Sequence, residues 1–135
     1  RFSSENFGND RRAAYAIDGS PRTVWHSQFN PKLHKHPHEL VIDLGSKRKV
    51  SGFHYLARQD GGWNGSFGKT RFFLSDSPKE FGEPVLETTF AKVRKPQAAK
   101  LKKPVEGRYL LVRVLNEING NPWASAADIG VIRAR

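Results

Sequence analysis

The sequence predicts an all-β domain, an antiparallel sandwich or barrel. Apolar residues recur with a period of two, not the helical period. Turn-forming residues interrupt the runs at near-regular intervals, as in stacked short strands. Only residues 10–17 have a helical pattern. In ELVIDL, Leu40, Ile42 and Leu44 share one face while Glu39, Val41 and Asp43 share the other, which makes 39–44 the first strand. VSGFHYLAR at 50–58 is the second and TRFFLS at 70–75 the third. Further strands are expected over 85–93, 98–103, 108–115 and 127–134. Between them stand Gly45-Ser46, Asp60-Gly61-Gly62, Asp76-Ser77-Pro78, Pro96, Gly107 and the NGNP of 119–122, all read as turns.

Two loops are longer than a hairpin needs, over 25–37 and 59–69. A third irregular stretch, 116–126, carries Trp123. Aromatic and amide side chains on long loops over a rigid scaffold point to binding.

A chain of 135 residues suits one compact domain with one core. No apolar run reaches membrane-span length. The chain starts without Met and ends on a strand-like run, so it reads as a module cut from a longer protein. Cysteine is absent, which removes disulfides, thiolate nucleophiles and Cys-based zinc sites. The formal charge is +10, from 23 basic and 13 acidic residues. Such a field favours anionic partners, or serves general solubility. The denser basic patches, at 47–49, 92–95 and 100–103, fall at strand ends and turns.

LHKHPHELVIDLG at 33–45 sets His34, His36 and His38 at alternate positions. Zinc needs three or four convergent ligands with fixed outer partners. Pro37 interrupts any ladder there and Lys35 opposes a cation, so the segment is expected to be a loop entering a strand, with His38 half-buried. No nucleophile elbow and no reasoned carboxylate pair is visible, so the chain is not expected to be an enzyme.

AIDGSPRTVWHS at 16–27, ELVIDLG at 39–45, VSGFHYLAR at 50–58 and NGNPWASAADIGV at 119–131 together resemble the coagulation-factor type C (discoidin-like) domain. The branch they resemble most is the family 32 carbohydrate-binding modules appended to bacterial glycoside hydrolases. The resemblance spans nearly the whole chain. It implies a galactose-binding-domain-like, jelly-roll β-sandwich of about eight mainly antiparallel strands, with loops gathered at one end.

The resemblance also implies site residues. His26 and Phe29, in HSQF, fall where the family contacts sugar, with Phe29 in place of the usual Trp. Arg58 and Asn64 fall where the family has an Arg and an Asn, and a guanidinium fork with an amide is the donor–acceptor mixture that adjacent hydroxyls need. Arg58 could equally pair with Asp60, and Phe29 could equally pack its own loop. Trp63 lies between Arg58 and Asn64 as a candidate platform. Trp123 sits where the family stacks an aromatic ring on a pyranose, and Trp25 is read as core. Asp18, Ser20 and Thr23, closing on Asp128, suggest a structural calcium site of oxygen ligands. Ser20 stands where the family more often has Asn, and Asp128 where it has Glu. The other reading of this loop is an Asx-turn with a salt bridge to Arg22 or Arg12.

The function implied is non-catalytic binding of a galactose-like or acidic glycan, which targets an appended glycoside-active enzyme. A secreted or cell-surface bacterial location, a monomer, and no nucleic-acid partner are expected with it. The alternative is a membrane or protein adhesion module of the discoidin type, with Trp63, Phe67 and Trp123 as apolar spikes.

Overall fold

The computed structural model describes all 135 residues. It contains seven strands and two short 3-10 turns, Phe7–Asn9 and Ala13–Ile17. The strands are β1 (Trp25–His26), β2 (His38–Leu56), β3 (Lys69–Ser75), β4 (Leu86–Thr89), β5 (Gln97–Val114), β6 (Ser125–Ala126) and β7 (Asp128–Arg133). They form an antiparallel five-stranded sheet of order β4-β3-β5-β2-β7 and a two-stranded β1-β6 pair. The fold is the all-β sandwich that the alternating pattern predicts.

The number of strands equals the number of runs read from the sequence, but the division differs: two pairs of expected strands are each one long, bent strand, and the short β1 and β6 were not among the expected runs. β2 runs through 39–44 and 50–58 up to Leu56, and β5 runs through both 98–103 and 108–115. Gly45 is not a hairpin turn. It sits at φ 86° within a register shift between Asp43 and Arg48, so the strand bulges and bends there without ending. Gly107 is a close approach instead of a turn: a Cβ there would lie 3.1 Å from the Cβ of Leu74. A second shift, between Val50 and Gly52, leaves residues 101–104 of β5 without register partners on β2.

The two bends divide the sheet into facing layers. His38–Asp43 of β2 pairs with 109–114 of β5, which β3 also flanks. The later half of β2 pairs with the early part of β5 and with β7. Between the layers lie Leu40, Val50, Phe53, Tyr55, Phe72, Leu74, Leu110, Val112 and Val114, all buried. Phe53 stacks on Phe72 with centroids 4.3 Å apart, and Tyr55 on Phe67 at 4.1 Å. Trp25 is fully buried, as expected of a core residue, and meets Phe67 edge-on. The helical pattern of 10–17 appears as the 3-10 turn Ala13–Ile17.

Candidate functional site

The short β1-β6 pair brings distant loops together. Its register sets Trp25 opposite Ala126 and His26 opposite Ser125. His26 therefore lies beside Trp123, with ring centroids 6.1 Å apart, and Phe29 meets His26 edge-on at 4.9 Å. Arg58 arrives from just beyond the end of β2, and Asn64 from the following loop. His26, Phe29, Arg58, Asn64 and Trp123 line one cleft of about 190 Å³, together with Asn9 and Arg11. That is below the roughly 300–1,000 Å³ of a drug-sized site, and suits a single sugar ring.

The polar groups of the cleft are held before any ligand arrives. Arg58 donates two 2.7 Å bonds to the two oxygens of Asp60 and a third, at 3.1 Å, to the carbonyl of Asn64. Asp60 is thus both the partner suggested by sequence and the clamp that aims the guanidinium. The Arg58 guanidinium holds the Asp60 carboxyl down at about 2. The Asn64 backbone carbonyl also accepts a 2.6 Å bond from the Ser125 hydroxyl, while its exposed side chain faces the cleft. Nδ1 of His26 lies 2.7 Å from the Ser27 carbonyl, which can only accept, so Nδ1 carries the proton. Burial, and then the nearby Arg58 charge, push the His26 pKa down, so the ring is neutral and Nε2 is an acceptor.

Beneath the cleft, Tyr55 and Glu117 join the loops. The Tyr55 hydroxyl donates to the Ser125 carbonyl at 3.0 Å and accepts from the Phe67 N–H at 3.1 Å. Glu117, only 4% exposed, accepts from the backbone N–H groups of Gly65, Asn119 and Asn121 at 2.8, 3.0 and 3.1 Å. Gly65 has φ 86°, and a Cβ there would lie 2.7 Å from the backbone of Ala124 and Ser125. Only glycine fits this crossing of two loops.

Trp63 does not reach the cleft. Arg94 lies over its ring at 3.6 Å and also donates to the carbonyls of Arg58 and Gly62, so the ring packs the loop's outer side. Phe67 is buried, not a spike, because it stacks in the core. Two of the three rings offered for membrane contact are therefore already engaged. Asn9 and Arg11 were not anticipated from sequence, nor was the bracing by Glu117.

The histidine run has a supporting place. His38 is fully buried, deeper than the half-burial expected, and its Nε2–H donates to the Pro122 carbonyl at 2.7 Å, one residue before Trp123. His36 packs edge-on against it at 4.5 Å. Burial pushes the His38 pKa down to about 4. In an unfolded chain it titrates at about 6.5, so there the unfolded state takes up the proton first. Stability should fall as pH drops from about 6.5 to 4, by about 3 kcal/mol at the lower end. Urea midpoints at several pH values for wild type and His38→Asn check this. The slope of the variant should be the shallower.

The residues suggested for calcium lie around one turn. Asp18 accepts from the Ser20 N–H at 2.9 Å and the Thr23 hydroxyl at 2.5 Å, an Asx-turn. The alternative salt bridge does not form, because Arg12 pairs with Asp10 at 3.0 Å and Arg22 reaches no carboxylate. Asp128 starts β7 with His54 at 3.7 Å. Its pKa is raised, first by burial and further by the negative charge of Asp18, while His54 opposes the rise.

Three comparisons place this geometry among known proteins. Over 121 residues the chain is 35% identical to a galactose oxidase of Gibberella zeae, covering 88% of this chain and 18% of that protein. A solved module of family 32 from Clostridium perfringens, in complex with GalNAc-β-1,3-galactose, superposes with TM-score 0.86 at 27% identity, covering 98% of this chain and 92% of that one. The family 32 module of C. perfringens NanJ, in complex with galactose, superposes with TM-score 0.82 at 25% identity, over 97% and 90% of the two chains. This chain thus spans under a fifth of the curated relative it matches, but nearly all of the two solved modules. The model of the F5/8 type C domain matches residues 1–129, and the chain belongs to that family.

Proposed function

We propose that this domain is a carbohydrate-binding module that holds a galactose-type sugar at the cleft of His26, Phe29, Arg58, Asn64 and Trp123. The observation that carries this reading is their convergence, from three separate parts of the chain, on one cleft the size of a sugar ring. Trp123 offers an aromatic face to the C–H patch of a pyranose, with Phe29 as a second apolar wall. Arg58 and Asn64 donate to sugar hydroxyls, and Nε2 of His26 accepts from one. A neighbouring solved module with the same fold carries galactose, and another carries a galactose-containing disaccharide. The domain binds without turning over its ligand. Catalysis belongs to an appended carbohydrate-active enzyme in the parent protein, at or outside the cell surface where glycans are met.

So shallow a site should bind with roughly millimolar to micromolar affinity, about −4 to −8 kcal/mol. Titration calorimetry with galactose tests the reading. Arg58→Ala should weaken binding about tenfold or more, through loss of charge-assisted hydrogen bonds. Undiminished binding by that variant places the sugar elsewhere.

The Asp18 turn is proposed to hold a structural calcium ion. The negative charge of Asp18 helps to raise the pKa of the Asp128 carboxyl, and no Lys or Arg pairs with either. The Ser20 carbonyl and the Thr23 hydroxyl, 3.4 Å apart, add the neutral oxygens that calcium takes. Calcium should raise the thermal midpoint by several degrees and EDTA should reverse it, whereas Asp18→Asn should lose the response.

A further inference from the structure

We propose that Arg11, with Asn9 beside it, forms an anion-reading subsite in the cleft, which selects sugars bearing a carboxylate or sulfate group. This rests on the cleft being the sugar site and names the class of sugar it takes.

The cleft has two guanidinium groups, Arg11 and Arg58, and no carboxylate among its lining side chains. Two acids lie near: Asp60 is committed to Arg58 through two 2.7 Å bonds, and Glu117, buried beneath the cleft, is committed to three backbone N–H groups. Arg11 reaches Asp60 only at 3.5 Å, on an oxygen that Arg58 already uses. That leaves Arg11, with no carboxylate of its own, as the cation of the cleft freest to meet a ligand. A neutral sugar would use it only as a hydrogen-bond donor, not as a charge. A planar carboxylate or a sulfate matches the guanidinium fork.

The backbone fixes where that charge stands. The Arg11 N–H donates to the Asn6 carbonyl at 3.1 Å, and the Arg11 carbonyl accepts from the His26 N–H at 3.3 Å. Arg11 is thereby rooted next to the imidazole that meets the sugar. Asn9 is oriented by a chain of hydrogen bonds. The side-chain oxygen of Asn6 accepts from the N–H groups of Phe29 and Asn30 at 3.1 and 3.2 Å, so the Asn6 amide nitrogen must point the other way. It donates to Oδ1 of Asn9 at 2.7 Å. The Nδ2 hydrogens of Asn9 have no protein partner and remain available to an anion. Asn6 thus ties the Phe29 wall and the Asn9 donor to one buried side chain.

Calorimetry on the intact domain with galactose, galacturonate and galactose 6-sulfate, at low and high salt, tests the subsite. Wild type should bind one of the acidic sugars about tenfold more tightly than galactose at low salt, with the advantage shrinking as salt rises. Which acid wins separates carboxylate from sulfate. Arg11→Ala should bring the acidic-to-neutral ratio to about one, and Arg11→Lys should keep part of it. Lys102→Ala removes the same unit of charge far from the cleft and should leave the ratio as in wild type. A wild-type ratio near one overturns the subsite. So does an Arg11→Ala that weakens all three sugars equally, which makes Arg11 only a brace for Asp60. If wild type binds none of the three, the sugar-site reading itself fails.

Discussion

Trp123→Ala is expected to remove measurable galactose binding while leaving the fold intact. The ring is the broadest apolar surface of the cleft and is only partly buried in the free protein. Truncating a central aromatic anchor costs about 2 kcal/mol or more, roughly 30-fold in affinity. From a weak starting point that leaves a signal below calorimetric detection. The urea midpoint should stay close to wild type, because the backbone bonds that anchor this loop belong to its neighbours: the Pro122 carbonyl to His38, and the Ala124 N–H to the Ser27 hydroxyl at 2.9 Å. A variant that still binds galactose fully would show that another surface takes the sugar.

Glu117→Ala should have the opposite profile, with a large loss of stability. Its carboxylate has no cationic partner and instead accepts three backbone N–H groups, one from the loop after β2 and two from the loop before β6. Alanine leaves those donors unpaired where water enters poorly. An unmade bond to a buried polar group costs about 1–3 kcal/mol, so a total of about 3 kcal/mol or more is expected for the set. Against a typical domain stability of about 5–15 kcal/mol this is a large share. Urea denaturation measures it directly. Glu117→Gln keeps one acceptor oxygen and should fall between. A wild-type midpoint for the alanine variant would mean that the loops are held together without this side chain.

The sheet was legible in the sequence because alternation reports which residues face inward. Leu40, Phe53, Tyr55, Phe72, Val112 and Val114 are all interior. The division of strands was not legible at the bends. Gly45 and Gly107 look like turn residues locally, and only the packing of β3 against β5 and the bulge in β2 show otherwise. The cleft was legible where a motif carries it, at His26, Phe29, Arg58, Asn64 and Trp123. Asn9 and Arg11 carry no motif, and they reach the cleft because Asp10, at φ 61°, turns the chain sharply between them. Trp63 looked equivalent to Trp123, both being tryptophans in amide- and glycine-rich loops. What separates them is Arg94, distant in sequence, which covers one ring and not the other. Glu117 left a faint trace, as a lone acid in NEINGNPW among residues rich in turn-forming N–H groups.

The Tyr55 hydroxyl, bonded at once to Phe67 and Ser125, has a kinetic corollary. It fastens the floor of the cleft to the stacked interior rings, so a sugar meets a finished surface and has nothing to reshape. Encounter at about 10⁵–10⁷ M⁻¹s⁻¹ with millimolar affinity gives departures on the order of 10²–10⁴ each second. If the domain tethers an enzyme to glycans as proposed, that enzyme would wander across a crowded glycan coat in brief stops, never parked for long on one chain.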